Sequence, residues 1–562
     1  MSILSFLATK IRRGNALYAR HIPGGIKLFP HKKESLRSRI MSTPIPEQLH
    51  IPTESDNSSA LSSLVKVGDR VLKYQNLGFY TPKTSQDNNQ THNIPIHAPT
   101  SGTVTAIELV AVASAHSEQL CIQLKTDGLD EEVPLQEEPD YQGLEPSQLV
   151  KKITNAGVMG VRNADFPVAN KLSSASNRNI NLLIINATEC EPYISADEAL
   201  IRERADSVIL GADILRIASQ AERCVIAIED SKKEAIAALI HASTTPALEK
   251  VKVEIQIIPS KYPAGGEKQI IQCLTGKEVP SGKHPASIGI LTQNTDTAYA
   301  TFKAIIEGKS CISRITTLTG KALKTPKNFE TLIGTSATFL FELCGVNRST
   351  KTNSIAGGSL TGRQLTNENA VIDKTSNCLI AGTLEEFPVK PPPQACIRCG
   401  FCADVCPAKL LPQQLLAFAQ SENNNELSKH GLFDCIECGA CDYVCPSHIP
   451  LVNHYQESKS RIHARELSLE KSQQWQQRFQ FHQYRIKRDK ELALARKANP
   501  PKQKTHTERQ ESSAQSHMEQ EFFSKEKASR EIAAAVARVK ARRNQATTKN
   551  ELKKEPMPGD SE

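Results

Sequence analysis

The chain has 562 residues, of which 39% are hydrophobic and 23% are charged, and this length predicts three to five globular domains. No apolar run approaches the roughly 18 residues of a membrane-spanning helix, and the first residues do not follow the charge order of a secretory signal. We therefore expect an intracellular protein. The net charge is +8, but residues 451–562 alone hold 24 basic and 15 acidic residues. The remaining 45 basic and 46 acidic residues give a neutral body, which argues against a nucleic-acid groove along the whole protein.

The first region with a clear pattern of secondary structure runs from Val65 to Glu108. Apolar residues alternate there with Gly and Pro, which predicts short strands and tight turns. The pattern resembles the sandwich of lipoyl and biotinyl carrier domains. A carrier needs a lysine in a motif such as Asp-Lys-Ala, whereas the polar segment between the two halves holds only Lys83, without that motif. We predict a structural barrel, with a carrier-domain transferase as the weaker alternative.

From Gly157 to about Gly308 the pattern is that of alternating strands and helices. Residues 181–186 and 224–228 are short, continuous apolar runs, which are typical of strands buried on both faces. Residues 197–219 and 231–243 have the apolar spacing of helices. We therefore predict an α/β domain in this part of the chain.

The C-terminal half begins with a second, smaller β-rich region between Arg314 and about Ala381. The proline-rich residues 388–393 then form a stiff spacer. After Pro450 the sequence has the composition of a long charged helix, which is broken at residues 499–501. We predict that this tail is either a solvated helix or disordered arm, or a helix that docks on a partner.

Eight of the fifteen cysteines fall in two matching runs that repeat after 39 residues. Each run reads C-x2-C-x2-C-x3-C-P, which is typical of bacterial ferredoxins with two [4Fe–4S] clusters, where the fourth cysteine ligates the other cluster. The predicted ligands of one cluster are Cys396, Cys399, Cys402 and Cys445. Those of the second cluster are Cys435, Cys438, Cys441 and Cys406. A pair of zinc sites is the alternative, in which zinc would take four ligands from two C-x2–4-C pairs. Against it, each run has four cysteines at the ferredoxin spacing, and the whole unit repeats.

Several motifs in a fixed order carry a resemblance to a known family. After the sandwich half, they are Asn186-Ala-Thr-Glu189-Cys-Glu191-Pro-Tyr193, Lys261-Tyr-Pro-Ala-Gly-Gly-Glu-Lys268 and the twin cysteine runs. Over roughly residues 20–455 the chain resembles the C subunit of the Rnf/Rsx ion-translocating oxidoreductase complex. That family is also similar to the flavin subunit of respiratory complex I.

The resemblance implies a peripheral subunit on the cytoplasmic face of the inner membrane. Its partners would be the other subunits of the complex and the membrane surface, and not nucleic acid. It would exchange electrons with NADH through FMN and pass them through its two clusters, while the complex couples this flow to ion translocation. The resemblance further implies that Glu189, Glu191 and Lys261 line the nicotinamide pocket.

The flavin loop of the family resembles residues 160–168 of this chain only in part. The matching positions predict FMN-binding residues Gly160, Phe166, Lys171 and Asn294. Other residues stand where the family has glycines, namely Arg162, Asn163, Asp165 and Asp296. Glycines allow close approach of the backbone to phosphate, whereas these residues add side chains, two of them acidic. The alternative function is therefore a flavin-free electron relay and docking subunit.

Together these patterns predict a multidomain protein of β and α/β type. The predicted domains are a barrel-sandwich at 20–145, an FMN/NADH-type α/β domain at 146–310 resembling the complex I flavin subunit, a small β-grasp-like domain at 311–385, an α-helical two-[4Fe–4S] ferredoxin domain at 386–455, and a charged helical or disordered tail at 456–562.

Overall fold

A computed structural model describes residues 21–53, 61–81, 93–115, 117–160, 168, 170–172, 179–389 and 391–498. The chain divides into two compact units, Met1–Ala464 and Arg465–Glu562. Within the first unit, the described residues form three sheet-based regions and one helical region.

The first region is a β-sandwich of two antiparallel sheets, with strand orders β2-β8-β7-β4 and β3-β5-β6. Side chains that alternate along β2 and β8, such as Leu49, Ile122 and Leu124, are fully buried between the sheets, as expected for strands with one face on a core. The strands are β2 Gln48–Pro52, β3 Ser62–Ser63, β4 Arg70–Val71, β5 Asn76–Tyr80, β6 Ile94–His97, β7 Gly102–Val110 and β8 Gln119–Thr126. The prediction of a β-rich sandwich is confirmed.

The second region is a parallel sheet of order β11-β10-β9-β12 with helices packed against it. Its strands are β9 Leu182–Ala187, β10 Arg223–Glu229, β11 Val253–Ile258 and β12 Ile290–Asn294. Its helices are Pro146–Asn155, Ala196–Ala218, Lys233–Ser243, Glu267–Thr275 and Thr295–Ile305, with 3₁₀ turns at Tyr141–Gly143, Pro246–Leu248 and Pro285–Ile288. The apolar runs predicted as buried strands are β9 and β10, and both predicted helices are present within two residues of the expected bounds. The carboxyl ends of β9 and β12 lie side by side, because Asn186 is in register with Asn294.

The third region is a six-stranded sheet of order β1-β14-β13-β17-β15-β16. Its strands are β1 Met41–Ser42, β13 Ser313–Thr319, β14 Lys327–Leu332, β15 Lys351–Ala356, β16 Arg363–Gln364 and β17 Cys378–Thr383. The helix Ala337–Leu343 begins at Ser336, whose hydroxyl accepts a hydrogen bond from the amide of Phe339 and so caps the helix. The edge strand β1 comes from the range predicted for the sandwich, but it pairs in parallel with β14.

The helical region carries the cysteine runs. Its helices are Phe401–Asp404, Pro412–Gln420, Asn424–Lys429 and Ala440–Tyr443, with a 3₁₀ turn at Leu432–Asp434 and the start of a long helix at Leu451–Ala498. The first and last short helices lie 39 residues apart, as the sequence repeat requires. Leu415, Leu427 and Tyr455 form the centre of a small apolar core under both runs.

The second unit is described only as far as residue 498, where its residues continue the helix Leu451–Ala498. Most of these side chains are exposed, including those of Trp475 and Phe479. Within the residues that the structure describes, no helix has both the length and the apolar character to cross a membrane.

Candidate functional site

One cavity is lined by three cysteines of the first run and the last cysteine of the second run. These four are Cys396, Cys399, Cys402 and Cys445, around a space of about 380 Å³ that is partly open to solvent. Cys445 comes from the second run. It follows the short helix Ala440–Tyr443, which brings it to the cavity of the first loop. The structure therefore brings together the four residues that the spacing groups as one ligand set.

A second cavity of the same size, about 380 Å³, is lined by the other four cysteines. They are Cys406, Cys435, Cys438 and Cys441. The backbone amide of Leu410 donates to the Cys406 sulfur over 3.3 Å. Again, three cysteines come from one run and the fourth from the other run.

The backbone of both loops repeats in detail. Arg398 and Glu437 occupy equivalent positions and both have a φ of 56°, a conformation that L-residues adopt rarely. The glycines that follow, Gly400 and Gly439, also have positive φ, at 86° and 72°. This shared conformation turns each loop tightly around its cavity.

The cavities fit an iron–sulfur cluster better than a zinc ion. Among the described residues, no three His, Cys, Asp or Glu side chains converge closely enough to hold a single metal ion, although four cysteines surround each cavity. Burial raises the pKa of the Cys438 thiol to about 12, so that a thiolate there requires positive charge from bound metal. The donor set, four thiols around a space wider than one ion, is that of a [4Fe–4S] cluster.

The second cavity lies against the rest of the first unit. The hydroxyl of Tyr262 donates a hydrogen bond of 2.5 Å to the carbonyl oxygen of Cys438. Lys268 forms a 3.1 Å ion pair with Asp434, directly before the second run. We call the cavity of Cys435 the inner cavity and that of Cys396 the outer cavity.

Glu189 lies at the carboxyl end of β9 and is only 3% exposed. Its carboxylate Oε2 lies 3.7 Å from the amine of Lys32 and 3.8 Å from that of Lys232, while its Oε1 accepts from the amide of Asp197 over 2.9 Å. Lys32 also donates to the Glu189 carbonyl oxygen. The chain's own buried charges therefore enclose this carboxylate.

Glu191 is 1% exposed and holds a loop of the third region. Its carboxylate accepts hydrogen bonds from the amides of Leu360 and Thr361, over 3.1 and 2.8 Å, and from the Thr361 hydroxyl over 2.6 Å. A Cβ on Gly358 would lie 2.2 Å from this carboxylate, so the loop can approach only because residue 358 is glycine. Glu191 thus links the α/β domain to the loop that covers Gly439.

Three other predicted site residues are Asn294, Lys171 and Lys261. Asn294 is the residue before the helix Thr295–Ile305, and Lys171 forms a 3.3 Å ion pair with Glu267. Lys261 is half-buried and its side chain lies beside Gly25 of the N-terminal segment. A Cβ on Gly160 would meet no described atom within 4 Å. Several predicted positions lie outside the described residues, namely Phe166, Arg162, Asn163, Asp165, Lys83 and the tail beyond residue 498.

Several buried polar groups were not predicted from the sequence. The side-chain atoms Asn170 Oδ1, Gln293 Nε2 and Thr297 Oγ1 are buried and have no hydrogen-bond partner in the described structure. Buried polar groups normally have partners, so these atoms are suited to a polar ligand. The sequence did offer a signal for Gln293 and Thr297, because they lie at a strand end and a helix start, where ligands bind in open α/β sheets.

Lys232 and Lys32 were also missed as members of the Glu189 cluster. Lys232 follows β10 by three residues and is 2% exposed, with its amine donating to the Ala187 carbonyl over 3.2 Å. A lysine close to the end of an apolar strand could have suggested it, whereas Lys32 lies 157 residues from Glu189 and gives no local signal.

Three family models match separate parts of the chain. The "RnfC Barrel sandwich hybrid domain" matches residues 20–129, the "Nuo51 FMN-binding domain" matches residues 153–303, and the "4Fe-4S dicluster domain" matches residues 395–449. The chain thus contains a barrel-sandwich domain, a flavin-type α/β domain and a dicluster domain with [4Fe–4S] clusters.

Curated relatives cover most of the chain. A protein of Yersinia enterocolitica (serotype O:8 / biotype 1B), named as the C subunit of an ion-translocating oxidoreductase complex, is 42% identical over 83% of this chain and 65% of its own length. The chain therefore spans less than two thirds of that relative. The protein of the same name from Yersinia pestis bv. Antiqua is 42% identical over 83% of this chain and 73% of its own length.

Among solved structures, the NAD⁺-reducing [NiFe]-hydrogenase in the H₂-reduced state is similar with a TM-score of 0.41 and 17% identity, covering 57% of this chain and 64% of that chain. The identity and coverage of the curated relatives place this chain in the family of C subunits of the ion-translocating oxidoreductase complex.

Proposed function

We propose that this chain carries single electrons through two [4Fe–4S] clusters, as part of a membrane-bound complex that couples electron transfer to ion translocation. The observation that supports this most directly is the grouping of the cysteines. Each cavity is lined by three cysteines of one run and one of the other, the arrangement expected for two clusters held close together. The translocated ion would cross through other subunits.

The proposed ligands are Cys396, Cys399, Cys402 and Cys445 for the outer cluster. For the inner cluster they are Cys406, Cys435, Cys438 and Cys441. Bound clusters supply reversible one-electron transfer. The surrounding residues orient the loops and limit access of water, with Leu415 and Tyr455 packed beneath and Tyr262 fixing the inner loop.

We also propose FMN at the carboxyl edge of the parallel sheet, as the point where electrons are exchanged with NADH. The proposed flavin residues are Gly160, Phe166, Lys171 and Asn294. Asn294 ends strand β12 at this edge, and Lys171 pairs with Glu267. The unpartnered atoms of Asn170, Gln293 and Thr297 and the match to a family described as FMN-binding support a flavin here. FMN would convert a two-electron hydride into single electrons.

The nicotinamide-lining role of Glu189, Glu191 and Lys261 is part of the same proposal. The contacts of Glu191 instead favour a second candidate, the flavin-free relay, because amides of the chain itself bind its carboxylate. Glu189 has two lysines within 3.8 Å, but its Oε2 accepts no hydrogen bond from a described residue. Under that candidate the α/β domain would serve packing and docking only.

Two finer features complete the proposal. The six-stranded sheet with the helix Ala337–Leu343 would be a β-grasp-like domain, supported by its mixed strand order. The basic tail would associate with anionic lipid or with partner subunits on the cytoplasmic side of the inner membrane, where this protein would be peripheral. Exposed Trp475 and Phe479 support contact with a partner.

Anaerobic purification with chemical analysis tests the proposal. We expect about eight iron atoms and about eight sulfides per chain, because each of two clusters contributes four of each. Zinc in place of iron would contradict it. Flavin absorbance that bleaches on addition of NADH would support the flavin site, whereas an iron–sulfur spectrum that NADH leaves unchanged would favour the flavin-free relay.

A further inference from the structure

The twin cysteine loops have the same backbone, so their surroundings can be compared position by position. Residues 396–402 correspond to residues 435–441, with Arg398 and Glu437 at the same φ. We therefore compare the contacts of the inner loop, residues 435–441, with those of the outer loop, residues 396–402, at equivalent positions.

The inner loop is covered by the chain's own domains. Tyr262 donates its hydroxyl hydrogen to the carbonyl oxygen of Cys438. The carbonyl oxygen of Leu360 lies so close that a Cβ on Gly439 would approach it to 3.1 Å. A loop of the third region and a tyrosine of the α/β domain thus shield this loop from water.

Among the described residues, nothing gives the outer loop this cover at the equivalent positions. Cys399, the twin of Cys438, is exposed, and a Cβ on Gly400 would meet no described atom within 4 Å. Ile397 is 67% exposed and Phe401 is 53% exposed. Two large apolar side chains of one short loop thus remain in solvent, and exposed apolar patches are typical of surfaces that another protein covers.

The two loops also carry opposite charges at one equivalent position. Glu437 of the inner loop forms a 2.6 Å ion pair with Lys459 of the same chain. Its twin is Arg398, of opposite charge, which makes no hydrogen bond or ion pair with any described residue. The outer loop therefore presents an exposed positive charge at the position where the inner loop has a paired negative charge.

We propose that residues 396–402 form the docking surface for an electron-transfer protein that presents carboxylates around its own redox centre. One of these carboxylates pairs with Arg398, as Lys459 pairs with Glu437, and apolar groups cover Ile397 and Phe401. An apolar centre with a charged rim is common in protein interfaces, and electron-transfer contacts are typically small. The proposal rests on the proposed function, since it requires an electron-carrying cluster beneath the loop.

The test compares the full-length protein with its Arg398→Glu variant. Glutamate is compatible with this backbone, because the twin loop has Glu437 at the same φ. Lys66→Glu makes the same change of charge at an exposed position of the sandwich and serves as the control. An acidic two-[4Fe–4S] ferredoxin, reduced with dithionite, is the probe, and stopped-flow absorbance follows its oxidation. In each productive encounter one ferredoxin cluster loses one electron and one cluster of this chain gains it.

We expect Arg398→Glu to slow this exchange by about tenfold at low ionic strength, because a like charge opposes the encounter. The difference should shrink as added salt screens the charges, and Lys66→Glu should match the wild type. Arg398→Gln, which removes the charge without reversing it, should give a smaller decrease of the same sign.

Iron and sulfide analysis of each variant separates this proposal from the proposed function. A variant with full iron content and the wild-type exchange rate would overturn the docking surface and leave the electron relay intact. A wild-type protein without iron–sulfur clusters would overturn the relay itself. In the assembled complex, Ile397→p-benzoylphenylalanine should photo-crosslink to a cofactor-carrying subunit at an acidic face. Crosslinks to a second copy of this chain, or to the chain itself, would overturn the docking proposal.

Discussion

The carboxylate of Asp296 is paired with the guanidinium of Arg314 in the interior, with side-chain exposures of 10% and 2%. Arg314 also donates to the carbonyl oxygens of Met159 and Lys374, each over 2.6 Å. The acid that stands where the resembling family has glycine therefore neutralises a buried arginine next to the start of the flavin loop. It has a structural partner and does not simply add a charge at the phosphate position.

This pair predicts that Asp296→Gly alone destabilises the protein. Removal of one partner leaves a buried charge uncompensated, so we expect the free energy of unfolding to fall by about 3–5 kcal/mol. Denaturant unfolding measures this change. The double variant Asp296→Gly with Arg314→Met should recover most of the loss, and equal stability of the single and double variants would contradict the prediction. We expect no gain in flavin content from the single variant.

A second prediction concerns Cys406, which lies in the first run of sequence but lines the inner cavity. Cys406→Ser should damage the cluster of Cys435, Cys438 and Cys441 and lower the iron content from about eight to about four atoms per chain. The matched control is Cys445→Ser, which should remove the outer cluster instead. Electron paramagnetic resonance of the reduced proteins distinguishes the two clusters. Identical residual spectra in the two variants would contradict the crossed grouping.

The loop contacts of Glu191 predict a cost in stability for its truncation. Glu191→Ala leaves two part-buried amides and a hydroxyl without their acceptor, which costs about 1 kcal/mol, whereas Glu191→Gln retains one acceptor oxygen and should cost less. Because the held loop covers Gly439, we also expect faster bleaching of the inner cluster by oxygen in Glu191→Ala. Exposed Glu249 provides the control variant Glu249→Ala, and similar effects of both alanine variants would contradict this role.

The burial of His97 should make the free energy of unfolding depend on pH. This side chain is 7% exposed, and its burial, followed by the charge of Lys374, lowers its pKa from 6.5 to about 3. In the unfolded chain it takes up a proton below pH 6.5, so folding stability is complete above that value and declines as the pH falls from 6.5 toward 3. The decline should be about 1.4 kcal/mol per pH unit.

Urea unfolding at pH 7.5 and 5.5 measures this decline. His97→Gln cannot titrate and should lose about 1 kcal/mol less than the wild type between these pH values. His482→Gln, at an exposed position, should behave like the wild type. An unchanged pH dependence in His97→Gln would argue against a neutral buried histidine.

The start of the long helix predicts where the chain can be shortened. Ser458 and Ile462 are buried, at 1% and 5% exposure, and Lys459 donates to the Cys435 carbonyl oxygen over 2.7 Å. A chain that stops after Ala464 should therefore keep both clusters, whereas one that stops after Tyr455, the predicted domain boundary, should lose iron from the inner cluster. Iron analysis of both truncated proteins checks this, and equal iron contents would contradict it.

Much of the fold followed from local patterns. The strands β9 and β10 were predicted because strands buried on both faces are apolar throughout. The strands of the sandwich were predicted because burial on one face makes apolar and polar residues alternate. Strand β1 was not predicted, since its two residues carry no pattern and its place depends on pairing with β14, far along the chain. The predicted end of the ferredoxin region at residue 455 falls inside the helix Leu451–Ala498. Helix propensity does not show which turns of a helix pack against the rest of the protein, so the sequence could not place this boundary.

The sequence by itself determined the chemistry of the cysteine runs. Their spacing decides which thiols can share a cavity, because a loop of a few residues has few conformations available. Only the tertiary structure decided that one loop lies against the chain and the other faces outward. It also decided that Glu189 and Glu191 are enclosed. Those outcomes depend on contacts such as Tyr262 with Cys438, 176 residues apart, and the packing of whole domains brings such residues together.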